Sequence, residues 1–141
     1  MATDTKTLQI KKSFAASAER VFDAWTSPAT AAKFLFATPD GEITRCDINA
    51  RIGGAFTITR RDSTGDTDHV GKYEVVDRPR KLVFTFGVPK YSPEMTRVII
   101  DIEPSETGCD LTLTHEGVLA EWADKSKEGW SMILESLSRT F

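Results

Sequence analysis

The sequence contains only two cysteines, Cys46 and Cys109, and they lie far apart in the chain. Two cysteines without paired histidines at ligand spacing do not form a metal-binding signature, so no metal site is predicted. Both thiols are expected to be free, which fits a reducing compartment. The first ten residues contain no basic segment that leads into an apolar run. No secretory signal is therefore predicted, and we expect a cytoplasmic protein.

Long apolar runs and a basic stripe are also missing. No apolar run approaches the length that a membrane-spanning helix needs, so no membrane span is predicted. The formal net charge is -3, and the basic residues are scattered among acidic ones. Binding to nucleic acid would need a clustered basic surface, so we expect no nucleic-acid partner.

Sequence signatures of catalysis are missing as well. The chain contains no nucleophile elbow, no phosphate-binding loop and no zinc motif. Gly53 and Gly54 are adjacent, but they lack the strand-to-helix context that phosphate binding requires. We therefore expect no cofactor and no catalytic residue, and we favour a protein that is not an enzyme.

The last twenty residues contain the longest helical pattern in the chain. Apolar side chains recur there at steps of three and four, which is the spacing of one face of an α-helix. These side chains are Trp130, Ile133, Leu134, Leu137 and Phe141. Polar residues occupy most of the remaining positions, so the predicted helix is amphipathic and needs a large apolar surface to pack against.

The chain before this helix alternates mostly with the period of β-strands. Residues 7–15 form the first predicted strand, and Ser17 and Ser27 are predicted N-caps of two short helices, the second with Pro28 at its first position. Residues 39–41 are predicted to turn, and about six consecutive strands follow. The glycine pair is predicted to lie inside a strand, as a bulge or a close backbone approach. The predicted inward faces carry Phe56, Ile58 and Arg60; His69, Gly71, Tyr73 and Val75; Leu82, Phe84 and Phe86; Thr96, Val98, Ile100 and Ile102; and Leu111, Leu113 and His115.

Consecutive strands joined by tight turns predict an antiparallel sheet that curls around the long helix. The fold class is α+β, in one domain that covers residues 1–141. Between the sheet and the helix the pattern allows either a filled core or a pocket.

Several segments resemble the START-like SRPBCC superfamily. Residues 16–28 (ASAERVFDAWTSP) are similar to its opening, most closely to the branch related to the C-terminal domain of the activator of the ninety-kilodalton heat-shock protein's ATPase. The branch's later strands are matched by RIGGAF at 51–56, GKYEVV at 71–76, RPRKLVF at 78–84 and LTLTHEG at 111–117, and its end by Gly129-Trp130. The resemblance implies a helix-grip fold, in which a curved antiparallel sheet of about seven strands surrounds a long C-terminal helix and two short helices follow the first strand. Such a fold often has a cavity for apolar ligands.

Three polar side chains are candidates to orient a ligand. Tyr73 offers a hydroxyl on an apolar wall, or it is a core tyrosine with one hydrogen bond. His115 is able to orient a ligand or move a proton, or it is a buried histidine satisfied by its neighbours. Arg60 is able to hold a carboxylate, or it extends to solvent at the rim, where His69 is also expected. The apolar candidates for ligand binding are Trp25, Phe34, Phe56, Phe84, Phe86, Trp130 and Leu134. Phe36 and Trp122 complete the set of aromatic residues that we expect to face inward.

Three functions are compatible with these residues. The first is non-enzymatic binding of a small hydrophobic or aromatic molecule, with the cavity mouth at residues 34–40 and 88–94. The alternative is a chaperone co-factor or protein-interaction module of the stress response, which would use an exposed apolar patch. The second alternative is an enzyme similar to polyketide cyclases and dehydratases, with His115 or Tyr73 as acid or base. Monomer and homodimer both remain open.

Overall fold

The protein structure is a computed structural model that describes residues 5–36, 40–90 and 94–141. Its elements follow the predicted order of one strand, two short helices, six strands and a long helix. They are β1 (Thr5–Phe14), α1 (Ala18–Thr26), α2 (Pro28–Phe34), β2 (Glu42–Ile48), β3 (Ala55–Asp62), β4 (Gly65–Asp77), β5 (Lys81–Phe86), β6 (Thr96–Pro104), β7 (Cys109–Leu119), a 3₁₀ turn (Ala120–Trp122) and α3 (Ala123–Ser138). Residues 37–39 and 91–93, on which parts of a predicted turn, a predicted loop and the predicted cavity mouth fall, lie outside the described residues.

The seven strands form one antiparallel sheet in the order β1-β7-β6-β5-β4-β3-β2. The longest strand, β4, joins the two halves of this sheet. Its first part pairs with β3, from Asp62↔Gly65 to Ala55↔Lys72, and its second part pairs with β5, from Tyr73↔Phe84 to Asp77↔Lys81. Because one strand changes partner along its length, the sheet curves and presents a concave face, as the sequence predicts.

The two short helices begin where their capping residues predict. The Ser17 side chain accepts a hydrogen bond of 3.2 Å from the backbone N–H of Arg20, which satisfies one of the free donors of α1. Ser27 occupies the N-cap of α2 without a side-chain hydrogen bond, and Pro28 is the first helical residue. Both helices bury apolar side chains against the core. Among them are Trp25 and Phe34, whose rings lie edge to face with their centroids 5.2 Å apart.

Helix α3 lies across the concave face and packs against β1, β7 and α2. Trp130, Leu134 and Leu137 are buried, which confirms the predicted face. Its ends differ from the prediction. Trp122 lies in the 3₁₀ turn and is 51% exposed, so its predicted inward direction was wrong, because the turn does not continue the spacing of the helix. The helix ends at Ser138, and Phe141 beyond it meets the ring of Phe14 edge to face at 6.1 Å.

The position predicted for the glycine pair was wrong, although the close backbone approach is present. Gly53 and Gly54 lie in the connection between β2 and β3, before β3 begins at Ala55. Gly53 has a φ of 84°, and its N–H donates to Tyr73 O at 2.8 Å. A Cβ on Gly54 would collide with the backbone oxygen of Asn49. The tight turn from β2 into β3, packed against β4 at Tyr73, therefore requires both glycines.

The inward direction predicted for Val75 was also wrong. The pairing of β4 with β5 shifts register between Tyr73 and Val75, which breaks the alternation of the strand. Val76 packs against the main hydrophobic core after this shift. Strand alternation in the sequence does not reveal such an irregularity.

Candidate ligand-binding site

A cavity of about 220 Å³ lies between the concave face of the sheet and α3. Its apolar wall is formed by Phe36, Phe86, Val88, Trp130, Met132 and Ile133. Its polar side chains are Arg60, His69, His115 and Ser126, and Gly129 completes the helical wall. Met132 is 53% exposed, so the cavity reaches the protein surface beside α3.

Packed rings make the apolar wall rigid. Phe36 stacks on His69 with ring centroids 4.2 Å apart and planes 7° apart, and on Phe86 at 5.1 Å and 10°. Trp130 from α3 meets both Phe36 and Phe86 edge to face at 5.8 Å. Aromatic pairs at these separations stabilise each other beyond the area that they bury. The cavity therefore offers a preformed flat surface to a ligand.

Phe36, just after α2, has the only positive φ of a non-glycine residue among the described residues, at 61°. A bulky side chain rarely adopts this conformation, which costs roughly 1–3 kcal/mol. The backbone oxygen of Phe36 accepts a hydrogen bond of 3.4 Å from Arg60 Nη1. Strain of this kind concentrates at binding sites, and here it directs the Phe36 ring against the cavity.

His115 is held by hydrogen bonds at both ring nitrogens. Its Nδ1 accepts from Trp130 Nε1 at 2.9 Å, and because an indole N–H is only a donor, the proton of the neutral ring must be on Nε2. That Nε2–H donates to Thr96 Oγ1 at 2.7 Å, and the Thr96 hydroxyl donates to Phe86 O at 3.0 Å. Burial lowers the pKa of His115 from 6.5 to about 4. The neutral ring therefore links α3 to β6 and β7.

His69 is 5% exposed and borders the cavity, so its predicted position at the rim was wrong. Its Nδ1 lies 3.1 Å from Ile58 O, and since a carbonyl oxygen only accepts, Nδ1 carries the proton. The Nε2 atom of the neutral ring is then an acceptor. Burial, together with the positive charge of Arg60, lowers the pKa of His69 to about 4.

The Arg60 side chain occupies a polar corner of the cavity, on the strand next to His69. Arg60 pairs across the strands with Thr67, and its Nε lies 3.6 Å from Asp62 Oδ2, beyond hydrogen-bonding distance. Arg60 Nε and Thr67 Oγ1 are buried without a hydrogen-bond partner among the described residues. Buried polar atoms are usually satisfied, so this corner retains unused capacity for hydrogen bonding.

The structure brings together four of the ten predicted binding residues at this cavity: Arg60, Phe86, His115 and Trp130. A second space of only about 10 Å³ is bordered by Trp25, Phe56, Tyr73 and Phe84. It is too small for a ligand. The Tyr73 ring is 4% exposed there, and burial raises the pKa of its hydroxyl. Phe34 and Leu134 are buried and border neither space.

Most of the helical wall of the cavity was not predicted from the sequence. Ser126, Gly129 and Ile133 are spaced at three and four residues and share a face beside Trp130. This periodicity was visible in the sequence, but the small residues at 126 and 129 carried no apolar signal. A small residue on the inner face of a helix leaves space where a larger one would fill the core.

Among residues 5–36, 40–90 and 94–141, no group of three or more histidine, cysteine or acidic side chains is placed to hold a metal ion. In the same ranges, no helix has both the length and the apolar character needed to cross a membrane. Cys46 and Cys109 are free thiols, in agreement with the sequence.

A curved seven-stranded antiparallel sheet that grips a C-terminal helix defines the START-like helix-grip class of proteins. The chain belongs within this class to the family described as Activator of Hsp90 ATPase homolog 1-like protein, whose family model matches residues 15–141. No curated protein sequence gives a significant match to the chain.

Solved structures of bacterial proteins share this fold over nearly the whole chain. A protein of Chromobacterium violaceum has 22% sequence identity and a TM-score of 0.87, and the match covers 95% of each chain. An AHSA1-like protein of Aeromonas hydrophila has 20% identity and a TM-score of 0.80, with 95% of this chain and 90% of that one covered. A Staphylococcus aureus protein of unknown function has 16% identity and a TM-score of 0.86, with 97% and 93% covered. Identities this low establish the fold and nothing finer.

Proposed function

We propose that the protein binds a small hydrophobic or aromatic molecule in the cavity between the sheet and α3, without catalysing a reaction. The observation that carries the proposal is the cavity of about 220 Å³ with its preformed wall of stacked rings. An apolar cavity of roughly 150 Å³ is large enough for benzene, and drug-sized ligands occupy roughly 300 Å³ or more. The expected ligand therefore has one or two rings.

The expected affinity follows from the apolar area that such a ligand removes from water. An aromatic group of this size buries about 150–250 Å², which at ~25 cal/mol per Å² contributes about 4–6 kcal/mol. That range corresponds to a Kd of roughly 0.05–1 mM for an unsubstituted ring system. Polar groups on the natural ligand would strengthen binding beyond this value.

The hydrogen bonds of His115 favour binding over catalysis. A cyclase or dehydratase would need an acid or base that is free to exchange a proton with its substrate. Both ring nitrogens of His115 are already engaged, with Trp130 and with Thr96. Tyr73, the other candidate acid or base, does not border the cavity.

The experiment is a titration of the protein with naphthalene, followed by amide NMR shifts. We expect saturable shifts around Phe36, Phe86 and Trp130. Replacing Gly129 with leucine should abolish them, because the position of an added Cβ has no atom within 4 Å and the side chain would fill the cavity. Ser131→Leu is the matched control on the exposed face of α3 and should bind as the unmodified protein does. Equal binding by the Gly129 and Ser131 variants would place the ligand elsewhere and refute the proposal.

A second candidate function is a co-chaperone activity, and the specific observation in its favour is Trp122. This residue is 51% exposed, with Lys125 Nζ 5.5 Å from the ring centroid, and exposed tryptophans are enriched in protein interfaces. The test is the ATPase rate of an Hsp90-type chaperone with and without the protein. Loss of a rate increase in Trp122→Ala, but not in Gly129→Leu, would support this function. No increase with the unmodified protein would exclude it for that chaperone.

A further inference from the structure

The polar corner of the cavity combines a donor with an acceptor on adjacent strands. Arg60 faces Thr67, and His69 faces Ile58, so Arg60 and His69 are diagonal neighbours on the same face of β3 and β4. Both side chains border the cavity. Diagonal neighbours on one face of a sheet lie roughly 7–8 Å apart or less, close enough for one ligand atom to contact two long side chains.

The two groups have opposite hydrogen-bonding needs. Arg60 is donor only, and its buried Nε lacks a hydrogen-bond partner among the residues that the structure describes. His69 commits its Nδ1–H to Ile58 O, which leaves Nε2 as an acceptor on the far side of the ring. A group that satisfies both must accept from Arg60 and donate to His69. A hydroxyl does both with one oxygen atom.

We propose that the cavity selects aromatic molecules that carry a neutral hydroxyl group, with the hydroxyl between Arg60 and His69 and the ring against Phe36, Phe86 and Trp130. This inference rests on the proposed function and specifies the chemical class of the ligand.

An aromatic carboxylate fits the same corner less well. Asp62 lies 3.6 Å from Arg60 Nε, and hydrogen bonds from Thr64 lower the pKa of Asp62, so an anion is already present beside the guanidinium. A second carboxylate would be repelled by Asp62 and would face the lone pair on Nε2 of neutral His69. A neutral hydroxyl meets neither penalty.

The test compares three ligands that share one ring system: naphthalene, 2-naphthol and 2-naphthoate. Their Kd values are measured by NMR titration at neutral pH, where 2-naphthol is uncharged and 2-naphthoate is an anion. In the unmodified protein we expect 2-naphthol to bind about tenfold more tightly than naphthalene, because it gains two hydrogen bonds to buried groups. We expect 2-naphthoate to bind more weakly than 2-naphthol.

Two variants test whether Arg60 and His69 cause the preference for 2-naphthol over naphthalene. His69→Phe keeps the stacked ring and removes the acceptor, and Arg60→Met removes the donor. Each should reduce the ratio of the naphthalene Kd to the 2-naphthol Kd to about 1–3. The matched control is Arg61→Met, since Arg61 is exposed on the same strand and pairs with Asp66; it should keep the full ratio. The ratio is measured within each variant, so a general loss of stability does not alter it.

The outcomes separate the two proposals. If naphthalene does not bind, the proposed function fails. If naphthalene binds and 2-naphthol gains nothing, the proposed function stands and the hydroxyl preference is overturned. Tighter binding of 2-naphthoate than of 2-naphthol would likewise overturn it, in favour of an anion site at Arg60. If both the Arg60 and the His69 variants keep the Kd ratio of the unmodified protein, the hydroxyl binds at another part of the cavity, and the inference is also contradicted.

Discussion

Mild acid should destabilise this protein because two histidines are buried in the neutral form. His69 and His115 are 5% and 3% exposed, and both have a pKa lowered from 6.5 to about 4. Above about pH 7.5 neither the folded nor the unfolded state binds a proton at these rings, and stability does not change. Between about pH 6.5 and pH 4 the unfolded chain takes up protons at these rings that the folded protein does not, so stability falls as the pH falls.

The magnitude follows from the size of the pKa shift. Each histidine lowers the free energy of unfolding by about 2 kcal/mol between pH 8 and pH 5, and by about 3 kcal/mol once the pH is below 4. The pair therefore costs about 4 kcal/mol at pH 5, a large part of the roughly 5–15 kcal/mol by which a domain is stable. Four carboxylates act in a lower range, because hydrogen bonds from arginine, lysine or threonine lower their pKa, and the stability that they contribute is lost only as the pH falls below about 4. They are Asp23, Asp62, Asp66 and Glu135.

The assay is urea unfolding followed by tryptophan fluorescence at several pH values between 8 and 5. His69→Gln and His115→Gln remove one titrating ring each and retain an amide that is able to donate to Ile58 O or accept from Trp130 Nε1. Each variant should lose only about 2 kcal/mol over this range, although it begins less stable than the unmodified protein. A constant stability between pH 8 and 5, or the full pH dependence in both variants, would refute the argument from burial.

Three further predictions concern stability and binding. Trp130→Ala should cost about 3–5 kcal/mol in urea unfolding, and a loss below about 1 kcal/mol would contradict the buried position of this ring. Gly129→Ala should raise stability by about 0.5–1 kcal/mol through helix propensity, and the same methyl group should weaken naphthalene binding; a destabilised Gly129→Ala would show that the space there is already filled. Arg78→Ala should leave stability almost unchanged, since the pair of Arg78 Nε with Asp23 Oδ1, at 2.7 Å, is exposed on both sides. Thermal unfolding that reveals a much larger loss would mean that this pair is shielded from solvent.

The sequence alone was sufficient for the architecture. The alternation of Val98, Ile100 and Ile102 and the helical spacing of Trp130, Leu134 and Leu137 both arise from local backbone geometry, which repeats along each element. They identified the buried faces correctly. Predictions failed where geometry was not periodic. The register shift in β4 altered the alternation at Val75, and Trp122 lies in a 3₁₀ turn outside the helical spacing.

The cavity was decided by tertiary structure. Tyr73 and His115 share the inward parity of their strands, and the sequence offers no reason to separate them. In the folded protein Tyr73 packs between Phe56 and Phe84, while His115 bonds to Trp130 beside the open space. Strand alternation predicts which face of the sheet a side chain is on. Whether that side chain borders the cavity or the filled core depends on where the helix crosses the curved sheet.

The same reason explains the polar corner. Arg60 and His69 are nine residues apart in the sequence, and His69 was expected at the rim because a hairpin end is near. Their meeting depends on the register of β3 with β4, on the Phe36 ring that covers His69, and on the space left by Gly129 in α3. Sequence periodicity thus determined which residues are inside this protein. Packing among distant elements decided which of them surround a space, because a void is a property of several surfaces together.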